Sequence, residues 1–562
     1  MNNIVLRCFI FYVFLGLIKK SIYEIKYIKN IIFNFILYRK KNNAFKVFLI
    51  ANKKLWSKKK NYYSKEKILI SNFIATPGDI ITNCIIAKHL EDKYKISSLN
   101  LSYRSKNISK LVNSFNIYEN FFLQNKNLIF KIKIFFKVIF YLNKIKNIKN
   151  LYKFKLDKVY IGKIVLDHIQ RHTGENLISS LNFKVFYHFY EALYSHYLFL
   201  KLIKEKNIKY VVQAETQFIP CGIIFQNCIL KNIKLFAREG GPHWIGNTIY
   251  SKKKEIYTAR DEIDENLFKY VKKRLSQKAS REGLNKIKNR FKRKDKMNDW
   301  LVSTSKKIIT KKQIFFTRKK ICKKFSWDPK KKIICIFSHL LTDGNYVMGK
   351  RLFKSNLEWL RTTLETIAKN ESVNFLVKPH PQESDYNTST STIKEFEKLG
   401  NLKHVKLLPE NISQLSLAKI IDGLISSHGT APLEYACYGV PSLTAGRSKF
   451  SYLNFFILPT KVSVYKKKIL NLHLLKKLKN NQIKDARIFS FLIYKLIKVR
   501  CPLLPYFKYY DAWYEYSSNF WEKDCLHLLK IYEEKKDYFK EMLFYQIENK
   551  KRNMVNLKLL KN

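Results

Sequence analysis

Three short segments of the 562-residue chain set phosphate-binding types of side chain directly after apolar runs. In Phe337-Ser338-His339-Leu340-Leu341-Thr342-Asp343-Gly344-Asn345 the apolar run opens into a polar, glycine-bearing loop. In Val377-Lys378-Pro379-His380-Pro381-Gln382-Glu383 two prolines stiffen the loop and push Lys378 and His380 away from helical geometry. An imidazole fixed beside an ammonium is a clamp for a phosphate. In the third, Ser426-Ser427-His428-Gly429-Thr430-Ala431-Pro432 follows Ile425, with Pro432 suited to a first helical turn and Glu434 one turn inside. Backbone N–H groups and the dipole at such a helix start attract an anion. Ser426, Ser427, Gly429 and Thr430 are therefore candidate phosphate-binding residues, and Glu434 a candidate acceptor for sugar or ribose hydroxyls. A plainer reading stands beside this one: Thr430 as an N-cap and Glu434 as a first-turn acid.

These segments make sense only if the elements before them are strands. Ile333 to Phe337, Asn374 to Val377, Val405 to Leu408, Ile420 to Ile425 and Ser442 to Thr444 read as buried strands with helices between them. In open α/β sheets, ligands bind beyond the carboxyl ends of the strands, where the three segments fall. The first half repeats the pattern: Ile68 to Phe73, then Ala75-Thr76-Pro77-Gly78-Asp79 opening a helix, Tyr210 to Ala214, a helix over Pro220 to Leu230, and Lys234 to Ala237. The stretch from about Leu267 to Ile321 reads as lysine-rich helix ending the first domain. The expected fold class is α/β, two doubly wound Rossmann-like domains facing a cleft, with helical extensions at both ends. The divisions expected are 1–60, a basic apolar helical segment; 61–325, an acceptor domain with its linker; 326–465, a donor domain; and 466–562, a helical, aromatic and basic tail, whose rings are expected to pack across the domains.

Composition excludes more than it assigns. A hydrophobic share of 46% supports packed cores and excludes a wholly disordered chain. Lysine and arginine number 107 against 43 acids, a formal charge of +64, but only 17 are arginines and 90 are lysines. AT-rich codon bias explains part of that excess, and a nucleic-acid reader would favour the bidentate fork of arginine, so no specific nucleic-acid partner is expected. A cationic surface still adheres to anionic lipid. Nine cysteines without a CxxC argue against a disulfide framework or a structural zinc site. Residues 4–18 are apolar but short for a bilayer span and lack an Ala-x-Ala cleavage site. The lysine-interrupted stretch to residue 60 suits helices in a membrane interface or, equally, an ordinary surface helix pair.

Phe337-Ser338-His339 with Asp343, Leu352-Phe353, Glu358-Trp359-Leu360, Val377-Lys378-Pro379-His380-Pro381 with Tyr386, and Ser427 to Pro441 together resemble bacterial capsule and surface-polysaccharide biosynthesis proteins. Gly162-Lys163-Ile164-Val165-Leu166-Asp167 with Arg171 is similar to a segment of the same proteins. The resemblance implies a GT-B-like glycosyltransferase that moves a sugar from a CMP- or UDP-linked donor to a glycan or lipid-linked acceptor, with no other cofactor. It places His380 at the donor phosphate, Ser427 and Thr430 in the phosphate turn and Glu434 as the acid at the helix start. Asp343 and Asp167, both following strand-like runs, are candidate catalytic carboxylates or loop caps. No Asp-x-Asp motif appears, so no metal is expected. The expected location is cytoplasmic, at the inner face of the bacterial plasma membrane. The alternatives are a glycerophosphate-type polymer transferase, a nucleotide-sugar epimerase, and a non-catalytic polyanion-binding protein.

Overall fold

The computed structural model describes residues 44–57, 64–74, 76–124, 127–240, 244–258, 263–294, 312–347, 349, 351–385, 388–504, 521, 525–533 and 536–561. Expectations for residues 1–43, and for Tyr386, Tyr506, Phe507, Tyr509, Tyr510, Trp513 and Tyr514, lie outside the described residues.

Short apolar runs bounded by turns make two sheets. The first half supplies β1 (Lys67–Asn72), β2 (Ser97–Ser102), β3 (Asn120–Phe122), β4 (Ile208–Gln213), β5 (Lys234–Gly240) and β6 (Trp244–Tyr250). The second supplies β7 (Ile333–Phe337), β8 (Asn374–Lys378), β9 (Val405–Leu407), β10 (Gly423–Ser426), β11 (Ser442–Thr444) and β12 (Phe456–Ile457), and β13 (Val499–Arg500) follows. Among the described residues the first sheet runs β13-β6-β5-β4-β1-β2-β3 and the second β12-β11-β10-β7-β8-β9. The second is parallel throughout. The first is parallel from β5 to β3, while β6 lies antiparallel to both β5 and β13. Strand order reverses once in each sheet, between β1 and β4 and between β7 and β10. At such a point the flanking helices leave to opposite faces and a crevice opens. The fold is α/β with two doubly wound units, as the sequence led us to expect.

Helices cover both faces: α1 (Pro77–Tyr94), α2 (Leu128–Ile145), α3 (Ile161–Thr173) and α4 (Phe183–Lys206) in the first unit, then α5 (Glu265–Arg274), α6 (Ser276–Phe291), α7 (Asn356–Ala368), α8 (Ala431–Ala436), α9 (Asn480–Phe491) and α10 (Tyr538–Glu548). Successive residues of a strand point to opposite faces, and β7 shows it: Ile333, Cys335 and Phe337 join the core containing Phe291 and Phe489, while Ile334 and Ile336 join the one around Trp359 and Tyr465. Burial on both faces is why such strands read as unbroken apolar runs.

Two divisions of the chain differ from expectation. Helices α5 and α6, expected in the linker of the first domain, bury Phe268, Ala279, Ile287 and Phe291 in the core of the second unit. The contact is tight enough to require glycine: a Cβ at Gly283 of α6 would stand 1.8 Å from the carbonyl oxygen of Arg487 in α9. The segment after 466 is no appended tail either. Helix α9 belongs to the second unit, after which β13 pairs with β6 and α10 packs on α1 in the first. Trp521 packs within the core of the first unit rather than across the two domains, its ring 4.6 Å and 4.8 Å from those of Phe45 and Phe48.

Candidate active site

Register builds the site. Ser426 of β10 pairs with Phe337 of β7, and Phe337 with Lys378 of β8, so the three strands end level. Two residues beyond each end stands a histidine: His428, His339 and His380. The His339 ring stacks on His428 with centroids 4.0 Å apart and lies 6.0 Å from His380. The pair His339 and His428 thus sits at the crevice between β7 and β10. Local chemistry shapes each approach. Pro379 and Pro381 flank His380, whose Nδ1 accepts the Gln382 N–H at 3.3 Å. Gly429, at φ +105°, turns the chain after His428 into a conformation that disfavours side chains, although a Cβ there would meet open space.

Helix α7 locks this edge. Its N-cap Ser355 accepts the Glu358 N–H at 3.1 Å. The neighbouring Asn356 accepts from Arg351 Nη1 and from Ser427 Oγ, both at 3.1 Å. Arg351 Nη2 lies 2.9 Å from His428 Nε2, and Ser427 Oγ 2.6 Å from His428 Nδ1. Arg351 has only protons to offer, so Nε2 accepts, Nδ1–H donates to Ser427, and His428 is held as one neutral tautomer. Burial, then Arg351 and His339, push the His428 imidazole well below its ordinary pKa. Burial, then His339 and Lys378, do the same to His380. Burial lowers His339 too, with Asp343 opposing it. Three neutral imidazoles thus stand at one sheet edge, the N–H of His428 committed to Ser427, and an anion beside them would favour their protonation.

The loop after β7 also joins the two units. Asp343, half-buried, faces Arg171 of α3 at 3.8 Å. Asp167, expected in a loop after a strand, instead lies within α3 and is fully buried. Ile164, Val165, His168 and Ile169 bury along one face of that helix, so packing at helical spacing overrides the β-branched look of the segment. The Asp167 carboxylate accepts the Tyr346 N–H at 2.9 Å and the Val347 N–H at 2.9 Å. Burial raises its pKa to about 7 against those hydrogen bonds. Gln170 accepts from Asn345 Nδ2 at 2.8 Å. Beside this joint lies a cavity of about 220 Å³ lined by Tyr152, Lys163, Asn345, Tyr346, Arg351 and Lys354 among others.

The remaining expected residues are placed differently. Lys378 is half-buried with Nζ 5.3 Å from the Phe337 ring centroid, and burial lowers its pKa, with Cys335 and Glu434 opposing. Ser426 Oγ donates to the His428 carbonyl at 2.8 Å. Thr430 is exposed at the N-cap of α8 and makes no side-chain capping bond. Helix α8 has six residues, with Pro432 in its first turn as expected. Glu434 Oε1 accepts from Tyr494 Oη at 2.9 Å and from Arg290 Nη2 at 3.2 Å, so its carboxylate serves packing between α6, α8 and the residues after α9. Sequence reasoning quoted His339, His428 and Arg171 without assigning the first two a role, and missed Arg351 and Asn356. The available signal was a histidine two residues past each strand end.

No protein-family model matches the chain, and no curated protein does. Solved structures similar to it include the β-Kdo 2,4 transferase KpsC of Thermosulfurimonas dismutans, 11% identical over 52% of this chain and 85% of that one, TM-score 0.31. The β-Kdo 2,7 transferase KpsC of the same organism is 14% identical over 63% and 92%, TM-score 0.30. A UDP-GlcNAc 2-epimerase of Neisseria meningitidis, bound to UDP-GlcNAc, is 10% identical over 76% and 99%, TM-score 0.23.

Proposed function

We propose that the chain is a glycosyltransferase that moves a sugar from a nucleotide-activated donor to a hydroxyl of a surface polysaccharide or glycolipid. The observation that carries this reading is the level row of His339, His380 and His428 at the β7/β10 crevice, with Asp343 half-buried on the same loop as His339. Imidazole N–H groups of His339 and His380, with His428 and Arg351 behind them, stabilise charge growing on the departing nucleotide phosphate. Asp343 takes the proton of the acceptor hydroxyl. The bonds exchanged are the anomeric carbon–phosphate oxygen bond, which breaks, and the anomeric carbon–acceptor oxygen bond, which forms. Incubation with CMP- and UDP-sugars, read by mass spectrometry, tests the reading. We expect one donor to be consumed and His380→Ala to lose nucleotide binding while remaining folded. Unchanged nucleotide binding in that variant refutes this placement of the site.

The acceptor side of the proposal includes an anionic membrane surface. Helix α2 supports it: Leu128, Ile129, Ile132, Phe136 and Phe140 are 44–67% exposed, along a face flanked by Lys133, Lys137 and Lys144. Apolar side chains bordered by lysines suit the headgroup boundary of an anionic leaflet. No helix among the described residues is long and apolar enough to cross a membrane. Co-sedimentation with phosphatidylglycerol vesicles is expected, and Ile132→Asp/Phe136→Asp is expected to abolish it. Equal sedimentation of that variant would remove α2 from the proposal.

A further inference from the structure

A second group of ligand-type side chains lies in the first unit, on α3 and α4. On α3, His168 and His172 are four residues apart; on α4, His188 and Glu191 are three apart, so each pair shares a helix face. The helices pack side by side, and one ligating atom from each of His168, His188 and Glu191 falls within 4.8 Å of the other two. The ring of His168 stands between the others, 4.2 Å from His172 and 4.8 Å from His188. Phe218, from the loop after β4, lies 6.4 Å from the His168 ring and 6.3 Å from that of His172.

The central ring points to a ligand. His168 is only 8% exposed, and its buried Nδ1 has no hydrogen-bond partner. Buried ring nitrogens normally find a partner, and a lone one calls for an explanation. Glu191, which lies 2.8 Å from His188 Nδ1, supplies the negative charge of the set.

We infer that His168, His188 and Glu191 form a binding site for a divalent transition metal, with Zn²⁺ the best match. Two imidazole nitrogens and a carboxylate oxygen make a zinc donor set with one coordination position left over. Tetrahedral Zn²⁺ with bonds of about 2.0–2.1 Å needs ligating atoms about 3.4 Å apart. The ligating atoms now lie within 4.8 Å of one another, so binding draws them together by at most about 1.4 Å. Bound metal ties α3 to α4 next to Gln170 and Arg171, the residues through which α3 meets Asn345 and Asp343 of the second unit. The site is independent of the proposed transfer reaction.

The test uses the full chain, stripped with chelator, re-loaded with Zn²⁺, freed of excess by gel filtration and assayed for bound metal. Co²⁺ serves as a second probe, through its visible absorption. One equivalent of Zn²⁺ and a tetrahedral Co²⁺ band are expected. His188→Ala and Glu191→Gln, at half-buried positions that tolerate change better than buried His168, are expected to weaken binding at least tenfold. His473→Ala, at an exposed histidine elsewhere, is expected to bind as the parent does. Absence of bound metal, unchanged binding in His188→Ala, or loss of the metal in His428→Ala instead would each overturn the assignment.

Discussion

Arg351→Met removes the cation that donates from Nη2 to His428 Nε2 at 2.9 Å and from Nη1 to Asn356 Oδ1 at 3.1 Å. After burial, that guanidinium is the largest cause holding the His428 imidazole well below its ordinary pKa. A unit charge at about 4 Å, under an effective dielectric of about 20, acts with about 4 kcal/mol. His428 is half-buried, so solvent screens part of this, and its pKa is expected to rise in the variant. The sign follows from the ligand. A nucleotide phosphate favours imidazolium, so the complex binds more protons than the empty protein and affinity rises as pH falls. Arg351→Met is expected to move the midpoint of that rise upward, while lowering affinity at high pH through loss of the cation. Calorimetric titration with UDP and with CMP, from about pH 5 to about pH 8 where histidine titrates, reads both effects. A midpoint unmoved by the substitution would refute the coupling between Arg351 and His428 and, with it, the role given to the histidine row.

Asp343→Asn is expected to lower kcat by about 10²–10⁴ with donor KM nearly unchanged, the pattern of a lost general base; a change confined to KM in steady-state kinetics would count against it. Asp167 has a folded-state pKa of about 7, above an unfolded value of about 3.9. The native state therefore holds the extra proton, and stability falls as pH rises from about 4 to about 7, by at most ~4 kcal/mol. Asp167→Asn is expected to flatten that slope, which urea unfolding of parent and variant at several pH values would reveal. Gly283→Ala puts a Cβ 1.8 Å from a backbone oxygen, and such overpacking costs about 1–3 kcal/mol or more. A thermal midpoint equal to the parent's would show that α6 and α9 approach less closely than described.

Much of the scaffold was legible because it obeys local rules. Residues Ile333–Phe337 are apolar and β-branched since both faces of β7 are covered. Thr76-Pro77 starts α1 as an N-cap and first-turn proline should, with Thr76 Oγ1 accepting the Asp79 N–H. What escaped depends on partners distant in sequence. Strand β6 is set by antiparallel pairing with β5 and β13, and β13 comes from residues 499–500. Glu434 looked like an anion-site acid, yet its partner Arg290 stands 144 residues away on a helix assigned to the other unit. Arg351 has no local motif: it reaches His428 only because the loop after β7 folds back along β10 and β11, with Arg351 bridging Gly446. His339 and His428 were written in plain view, but only the shared register of β10, β7 and β8 turns three separate histidines into one row.

The same reasoning separates two carboxylates that the sequence treated alike. A general base must accept a proton and shed it at every turnover, so its oxygens need access to the acceptor. Both oxygens of Asp167 are buried and accept backbone N–H groups of Tyr346 and Val347, so they hold the joint between the units and are closed to an acceptor hydroxyl. Asp343 is 28% exposed and stands 3.8 Å from Arg171, too far for a direct hydrogen bond, so its carboxylate can be reached by an acceptor. In the proposed reaction proton transfer is therefore assigned to Asp343, and Asp167 acts as a positioning residue that keeps residues 346 and 347 against α3. The two roles separate by experiment: Asp167→Asn should change donor KM and the pH dependence of stability together, whereas Asp343→Asn should change neither and lower kcat alone. If both substitutions lowered kcat equally without touching KM or stability, the division of labour between them would be wrong.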